Sequence, residues 1–343
     1  MSAPSRPSHP SSLPGDASGI MARIAERFDA SHSFTFAESC VMLCYVGSTS
    51  HGTSIPNADP HGVDDVDLMA VVLPPPRYVV GLDQFEVWVS QWDELDVVVY
   101  GFHKFVRLLV KSNPNVLGTL WLREIDYVYR SLAVWLPLEA NRHLFATKAA
   151  HGSFAGYASG QMQKMTAYSR EIQDEIDTLE AKLAACGWKL QDVMDKRSVP
   201  MPYGGTTATE ANAMADRLRH LRAKYHAAYM GEKRRGLVMR HGYDTKNAAH
   251  LIRLLRMCIE FLETGSMAVY RTHDAEELKA IKRGEWALDD VKALADALFT
   301  KALDARNASS LPFAPDVRGI SDLIATITLR AFALDPRAGR ESV

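Results

Sequence analysis

Hydrophobic periodicity changes once along this chain, near Gly101, and that change limits the folds open to it. Before Gly101 the apolar residues come in short runs: CVMLCYV at 40–46, VDLMAVVL at 66–73, FEVWVSQ at 85–91 and LDVVVY at 95–100. The first ends at a glycine and the second at Pro74-Pro75-Pro76. Continuous or alternating runs of β-branched residues bounded by such breakers are the pattern of strands. A short amphipathic helix through GIMARIAERFDA precedes them. After Gly101, apolar residues fall three and four apart, first in FHKFVRLLV and then near 153–186, 211–232, 244–264, 287–304 and 316–333. That is helical spacing. Pro200, Pro202, Gly204 and Gly205 mark the longest loop between helical blocks. The spacing predicts an α+β chain, a mixed β-sheet followed by an all-α helical domain.

The first 18 residues are rich in Pro and Ser and lack the apolar stretch of a secretory signal, so they read as a tail unable to fold alone. The sheet domain is expected over 19–130 and the helical domain over 131–343. With 343 residues, two domains of ordinary size are the natural division. Apolar residues make up 47% and charged residues 23%, the balance of a chain with a sizeable core. The formal net charge of −2 argues against protein-wide attraction to nucleic acid or anionic membrane, so any polyanion must be bound locally. Cys40, Cys44, Cys186 and Cys258 show no C-x-x-C pairing, and no apolar run approaches the roughly 18 residues of a membrane span. A reduced, cytoplasmic protein without membrane partners is expected. Cys40 and Cys44 read as buried small hydrophobes.

The chemistry concentrates after the first strand. YVGSTSHGTS places Gly47-Ser48 at a strand end, where backbone N–H groups and hydroxyls can hold phosphate oxygens; the same pair also makes an ordinary tight turn. A P-loop is excluded because Thr53 stands where its lysine must be, and Ser50 has only one, Gly52, of the two flanking glycines of a nucleophile elbow, Ser48 standing in place of the other. VDDVDLMAVVL then sets Asp65 and Asp67 two apart at the mouth of a strand, on one face. Two neighbouring carboxylates repel and are costly to bury unless a cation joins them, so the pair reads as metal ligands. Asp64 points to the opposite face. Asp96 opens LDVVVY, either as an edge-protecting charge or as a third carboxylate meeting the pair across the sheet.

A glycine-serine turn, a D-x-D strand and a third acid on a later strand resemble the DNA polymerase β nucleotidyltransferase superfamily. Within it the chain is similar to the bacterial and phage predicted nucleotidyltransferases related to YcgL. DVDLMAVVLPP, DVVVYGFHKFVRLLVKSNPNVLGTLW and KNAAHLIRLLRMCIEFLETG carry that resemblance over most of residues 41–285. The chain departs from the pattern in extra residues around NADPHGV, which leave Asp59 as an alternative first acid. Asp65 is preferred, because Pro60 and His61 follow Asp59 where an apolar residue and a second acid belong.

The resemblance implies a polymerase β-like nucleotidyltransferase domain that moves a nucleoside monophosphate from an NTP such as ATP to an acceptor hydroxyl, releasing pyrophosphate. A catalytically silent nucleotide-binding or regulatory member is the alternative. Asp65, Asp67 and Asp96 would be catalytic and would hold Mg²⁺, or Mn²⁺ in its place, with Asp96 nearer the acceptor. Gly47, Ser48 and Ser50 would hold phosphates, and His51 either orients substrate or serves structure. RNA or tRNA ends, protein hydroxyls and small molecules all remain open as acceptors. In KRRGLVMRHGYDTKNAAHLIRLLRMCI, Asp244 is the lone acid, and Lys246, His250 and Arg253 share the helix face opposite Ala248, Ile252, Leu255, Ile259 and Leu262. That face is either solvated or turned to the cleft, where Lys246 and Arg253 would neutralise the triphosphate. Lys104 and Arg107 read as the polar face of their helix, and Trp121, Trp135 and Trp188 as core.

Overall fold

The computed structural model describes residues 17–56, 62, 65–92, 95–167, 170–197, 199–226 and 232–334. The tail up to residue 16, Asp59 and Asp64, and the side chains of Lys233–Arg235 lie outside the described residues. Five strands form one sheet in the order β3-β4-β2-β1-β5. They are β1 (Cys40–Tyr45), β2 (Val66–Val72), β3 (Val87–Trp92), β4 (Leu95–Gly101) and β5 (Tyr127–Arg130). β2 and β4 run parallel and every other pair is antiparallel, so the sheet is mixed, as the spacing predicts. β5 was not foreseen: four residues with one exposed are too few to show alternation, and pairing with β1 defines them.

Each face of the sheet has its own cover. On one side Leu43, Leu68, Ala70, Val72, Val97 and Val99 pack against Ile20, Ile24 and Phe28 of the Ala17–Asp29 helix. On the other, Met42, Cys44, Met69 and Val71 join Phe102, Phe105 and the helical half in one continuous apolar cluster. Strand side chains alternate between faces, so Asp67 and Asp96 belong to this second face, the one that meets the helices.

The organising helix of the second half is Thr245–Thr264. Asp244 caps it, its carboxylate accepting from Asn247 N at 3.0 Å and from Asn247 Nδ2 at 2.8 Å. Ala248, Ile252, Leu255, Ile259 and Leu262 are all buried, and full burial of each large one contributes about 1.5–3 kcal/mol. The Ala150–Ala167, Ala275–Lys282 and Leu288–Ala308 helices surround it. The helical block from Arg170 to His241 has a separate small core around Trp188, Leu218 and Val238. No helix among the described residues is long and apolar enough to cross a membrane. All four cysteines are buried and unbridged.

Candidate active site

β2 and β4 lie in parallel register with Asp67 opposite Asp96, so two carboxylates from adjacent strands stand side by side at the start of the sheet. Both line a cavity of about 440 Å³ between the sheet and the Thr245–Thr264 helix. Asp65 is half-buried one residue before β2 and does not line this cavity. Among the described residues no group of three or more His, Cys, Asp or Glu side chains is arranged to hold a metal ion. The structure therefore joins Asp67 and Asp96 and leaves Asp65 beside them.

The Gly47–His51 helical turn begins where β1 ends, and it is fastened to Asp67 through both backbone and side chain. Val46 N–H donates to the Asp67 carbonyl at 2.9 Å. Gly47 has φ +63°, and a Cβ there would fall 1.9 Å from Asp67 Oδ2. Only glycine accepts both that backbone and that neighbour. A pair that is weak evidence in sequence thus proves to be steric seating for a carboxylate. Ser50 lines the larger cavity, but its hydroxyl donates to Gly47 O at 3.2 Å; Ser48 Oγ accepts from Ser54 Oγ at 3.2 Å and faces a second, smaller cavity.

A loop from the helical half braces this turn. Arg271 N–H donates to His51 O at 3.0 Å, and His51 Nδ1 lies 2.9 Å from Val269 O. Since a carbonyl can only accept, Nδ1 carries the imidazole proton. Burial, then the charge of Arg253, push His51 well below its usual range against the pull of the Val269 bond, with His250 and Arg271 adding to the shift, so the ring is neutral at pH 7. Gly52 touches Tyr270, whose ring lies under the Arg123 guanidinium. Arg271 is fully buried and is held by Glu260 and Asp274 at 2.6–3.0 Å.

The cationic wall faces the carboxylates. Lys246, His250 and Arg253 turn toward the cleft, as the second of the two sequence readings has it: Arg253 and His250 line both cavities and Lys246 the smaller. Burial and Arg271 push the Arg253 guanidinium down to about 9, while Asp67 and Asp274 pull it upward. It stays charged at neutral pH in a place that disfavours the charge, the electrostatic condition of a site suited to an anion. Lys104 and Arg107 pair instead with Glu86, at 2.9 and 2.6 Å, and line neither of these cavities. Trp135 and Trp188 are buried, and Trp121 packs edge-on against Phe261. Sequence reasoning missed Lys282, which lines the smaller cavity, and Gln91, Asn115 and Thr119, which line the larger.

Residues 19–285 match the RNA repair pathway DNA polymerase beta family. The chain belongs to that family. The matched span takes in the whole sheet, the Gly47–His51 turn and both walls of the cleft, ending just beyond the Ala275–Lys282 helix. Membership makes the fold a polymerase β-like nucleotidyltransferase fold with a helical C-terminal region, and the chain a nucleotidyltransferase-family protein. No curated protein matches the sequence. A solved nucleotidyltransferase-like protein from Exiguobacterium sibiricum 255-15 aligns over 93% of this chain and 80% of its own, at 8% identity and a TM-score of 0.25. A superposition that poor carries no weight for fold or function.

Proposed function

We propose that this family member is a metal-dependent nucleotidyltransferase of RNA repair, transferring a nucleoside monophosphate from an NTP such as ATP to a hydroxyl at an RNA end, tRNA included, with pyrophosphate released. The observation that carries the reading is the in-register pair Asp67 and Asp96, facing the half-buried, charged Arg253 across one cavity. The family's description favours RNA over protein or small-molecule acceptors. Kinship with the YcgL-related nucleotidyltransferases rests on the sequence segments alone, and a cytoplasmic setting on the unbridged cysteines.

The donor set fits a divalent cation of the Mg²⁺ or Mn²⁺ class, which is commonly held by one or two carboxylates completed by substrate phosphates and water. Asp67 and Asp96 would hold it; when bound, the ion supplies charge neutralisation at the reacting phosphate. The chain's own groups do the rest. Arg253 and Lys246 bind phosphate oxygens, while Gly47, Ser48 and Ser50 line the turn against which the triphosphate lies. Asp96 sits on the β3 side of the pair, with Gln91 opposite it on that edge strand, and in this reading it takes the proton of an acceptor hydroxyl approaching there. The acceptor oxygen bonds to the α-phosphorus as the bond from that phosphorus to the bridging oxygen breaks, and the pair of electrons leaves with pyrophosphate.

The test is incubation of the full chain with each α-labelled NTP, Mg²⁺ or Mn²⁺, and total RNA, beside the Asp67→Asn and Asp96→Asn variants. Labelled RNA and released pyrophosphate from the parent, lost in both variants, are expected. Nucleotide binding without transfer to RNA, protein or small molecules would favour the silent, regulatory reading, which draws on the absence, among the described residues, of three carboxylates arranged to hold a metal ion.

A further inference from the structure

β3 is an outer strand of the sheet, and the face it shares with Asp96 lies open. Three cross-strand pairs run along that face: Gln91 with Asp96, Val89 with Val98, and Val87 with Tyr100. Val89 is 71% and Val87 46% exposed, Gln91 is exposed, and Val98 and Tyr100 are half-buried. Trp88 and Trp92 turn to the opposite face and join its apolar cluster. Exposed valines on an outer strand invite pairing with other chains, so their retention calls for a use.

The open face changes character along its length. At one end Asp96 and Gln91 stand on the wall of the 440 Å³ cavity, which Val89 and Val98 also line. The middle is apolar and closes on the Tyr100 ring. At the far end Gly101 N–H donates to Glu86 O at 2.9 Å, and a separate cavity of about 380 Å³ is lined by Glu86, His103, Lys104 and Arg107. Lys104 Nζ and Arg107 Nη2 donate to the Glu86 carboxylate at 2.9 and 2.6 Å, so two cations share one anion. Glu86 and Arg107 are exposed, and ion pairs at such a surface are weak enough for another anion to replace. From Asp96 to Gly101 the strand advances five residues, or about 17 Å at 3.4 Å each. A stacked nucleic-acid strand rises about 3.4 Å per nucleotide, so about five nucleotides cover that length.

We propose that the open face of β3 is the track of a single-stranded RNA acceptor. Its terminal nucleotide lies beside Gln91 and Asp96, the next bases pack on Val89, Val87 and Tyr100, and Lys104 and Arg107 hold backbone phosphates beyond them. A carboxylate, an apolar strip ending on an aromatic ring, and a cationic end follow in the order in which such a strand presents its hydroxyl, bases and phosphates. The proposal rests on the reading of RNA as acceptor and of Asp96 as the group that meets its hydroxyl, but strand binding itself needs no turnover. Bases packed on side chains must be unpaired, so an RNA duplex blunt at its 3′ end does not fit the track.

The test uses the full chain without NTP, 5′-labelled single-stranded oligoadenylates of two to ten nucleotides, and fluorescence anisotropy at several salt concentrations. Affinity rises with length to about five or six nucleotides and then levels. A Lys104→Gln/Arg107→Gln double variant weakens hexanucleotide binding about tenfold and lowers the salt slope by about 1–2, while dinucleotide binding holds. Val89→Asp, which sets a negative charge on the track, also weakens the hexanucleotide. Glu86→Gln removes the competing carboxylate and tightens it, a gain that damage to the fold cannot imitate. Lys292→Gln, paired with Asp289 on the Leu288–Ala308 helix, changes nothing. A hexanucleotide bound no tighter than the dinucleotide, a double variant with the parent's affinity and salt slope, or equal affinity for polyglutamate overturns the proposal. Length-dependent binding with no transfer from any NTP would sink the enzymatic reading and leave the track standing. Transfer with the same KM for dinucleotide and hexanucleotide would do the reverse.

Discussion

The two walls of the cleft hold charge in different ways. On the sheet wall, Asp67 and Asp96 are placed by strand register, so the separation of their backbones is set by the ladder. On the helical wall, Arg253 is placed by a helix whose opposite face is buried, and its surroundings by a network in which Arg271, Glu260, Asp274 and Arg256 pair at 2.6–3.0 Å. The sheet wall sets two like charges side by side, with Asp67 attracting Arg253 across the cleft. The helical wall is cross-linked by ion pairs, and on the proposed reading it also carries the phosphate-binding groups. Substitutions on the first should therefore affect chemistry alone, and substitutions on the second should affect folding as well.

The sharpest test of that contrast is Asp67→Asn or Asp96→Asn. Transfer activity should fall on the order of 10³-fold, the scale of losing a group that stabilises charge in the transition state. The melting temperature should hold or rise, because neutralising one of two adjacent carboxylates relieves their repulsion. A calorimetric melt that drops with activity would mean the pair is structural and the contrast is wrong.

Arg271→Met comes next and should show the opposite profile. It removes the main partner of Glu260 and leaves Asp274 with Arg256 alone, and breaking a buried pair in this way costs roughly 3–5 kcal/mol. A fall in melting temperature on the order of 10 °C follows. Burial raises the Asp274 carboxyl, yet hydrogen bonds from Arg271 and then Arg256 outweigh it and hold the group below the usual carboxylate range. That share of stability is present above pH about 4 and is lost as pH falls through the lower folded value. Acid melts of parent and variant should therefore converge.

Between these lies Gly47→Ala, where the two walls meet through the turn. The added methyl meets Asp67 Oδ2 and the backbone is left-handed, so the cost is about 1–2 kcal/mol from conformation alone, plus displacement of the carboxylate. Activity should fall about 10–100-fold, with a melting shift of only a few degrees. Full activity in this variant would show that the seating of Asp67 against the turn is dispensable.

The same contrast explains what could be read in advance. The shared face of Asp67 and Asp96 was legible because strand period two converts sequence spacing directly into a face, whereas the helix pattern set Arg253 opposite the apolar residues and left open whether that side meets solvent or the cleft. Gly47 was legible as a turn but not as the partner of Asp67, since that contact depends on how the chain between β1 and β2 returns, which no local pattern specifies. Lys282 gave no signal at all. In AEELKAIKRG it occupies an ordinary polar helix position, and only the packing of that helix against Thr53 buries it. β5 and the loop that braces His51 likewise exist through long-range pairing rather than local pattern.

The smallest effect concerns His51, which joins the two walls by its bond to Val269. Its ring is packed among cations and another imidazole: Arg253 and His250 from the Thr245–Thr264 helix, and Arg271 from the loop after it. Burial and those neighbours hold its folded value well below the 6.5 of an unrestrained histidine. The unfolded chain thus gains a proton near pH 6.5 that the folded chain refuses, so the unfolded state is favoured as acid is added. Stability contributed by the neutral ring is complete above pH about 7 and declines as pH falls below about 6.5. Melting temperatures measured from pH 7.5 down to about 5 should slope downward in the parent, and less so in His51→Asn, whose side chain can still donate to Val269 O but does not titrate. An unchanged slope in the variant would assign that acid sensitivity to another group and remove His51 from the account of how the walls are joined.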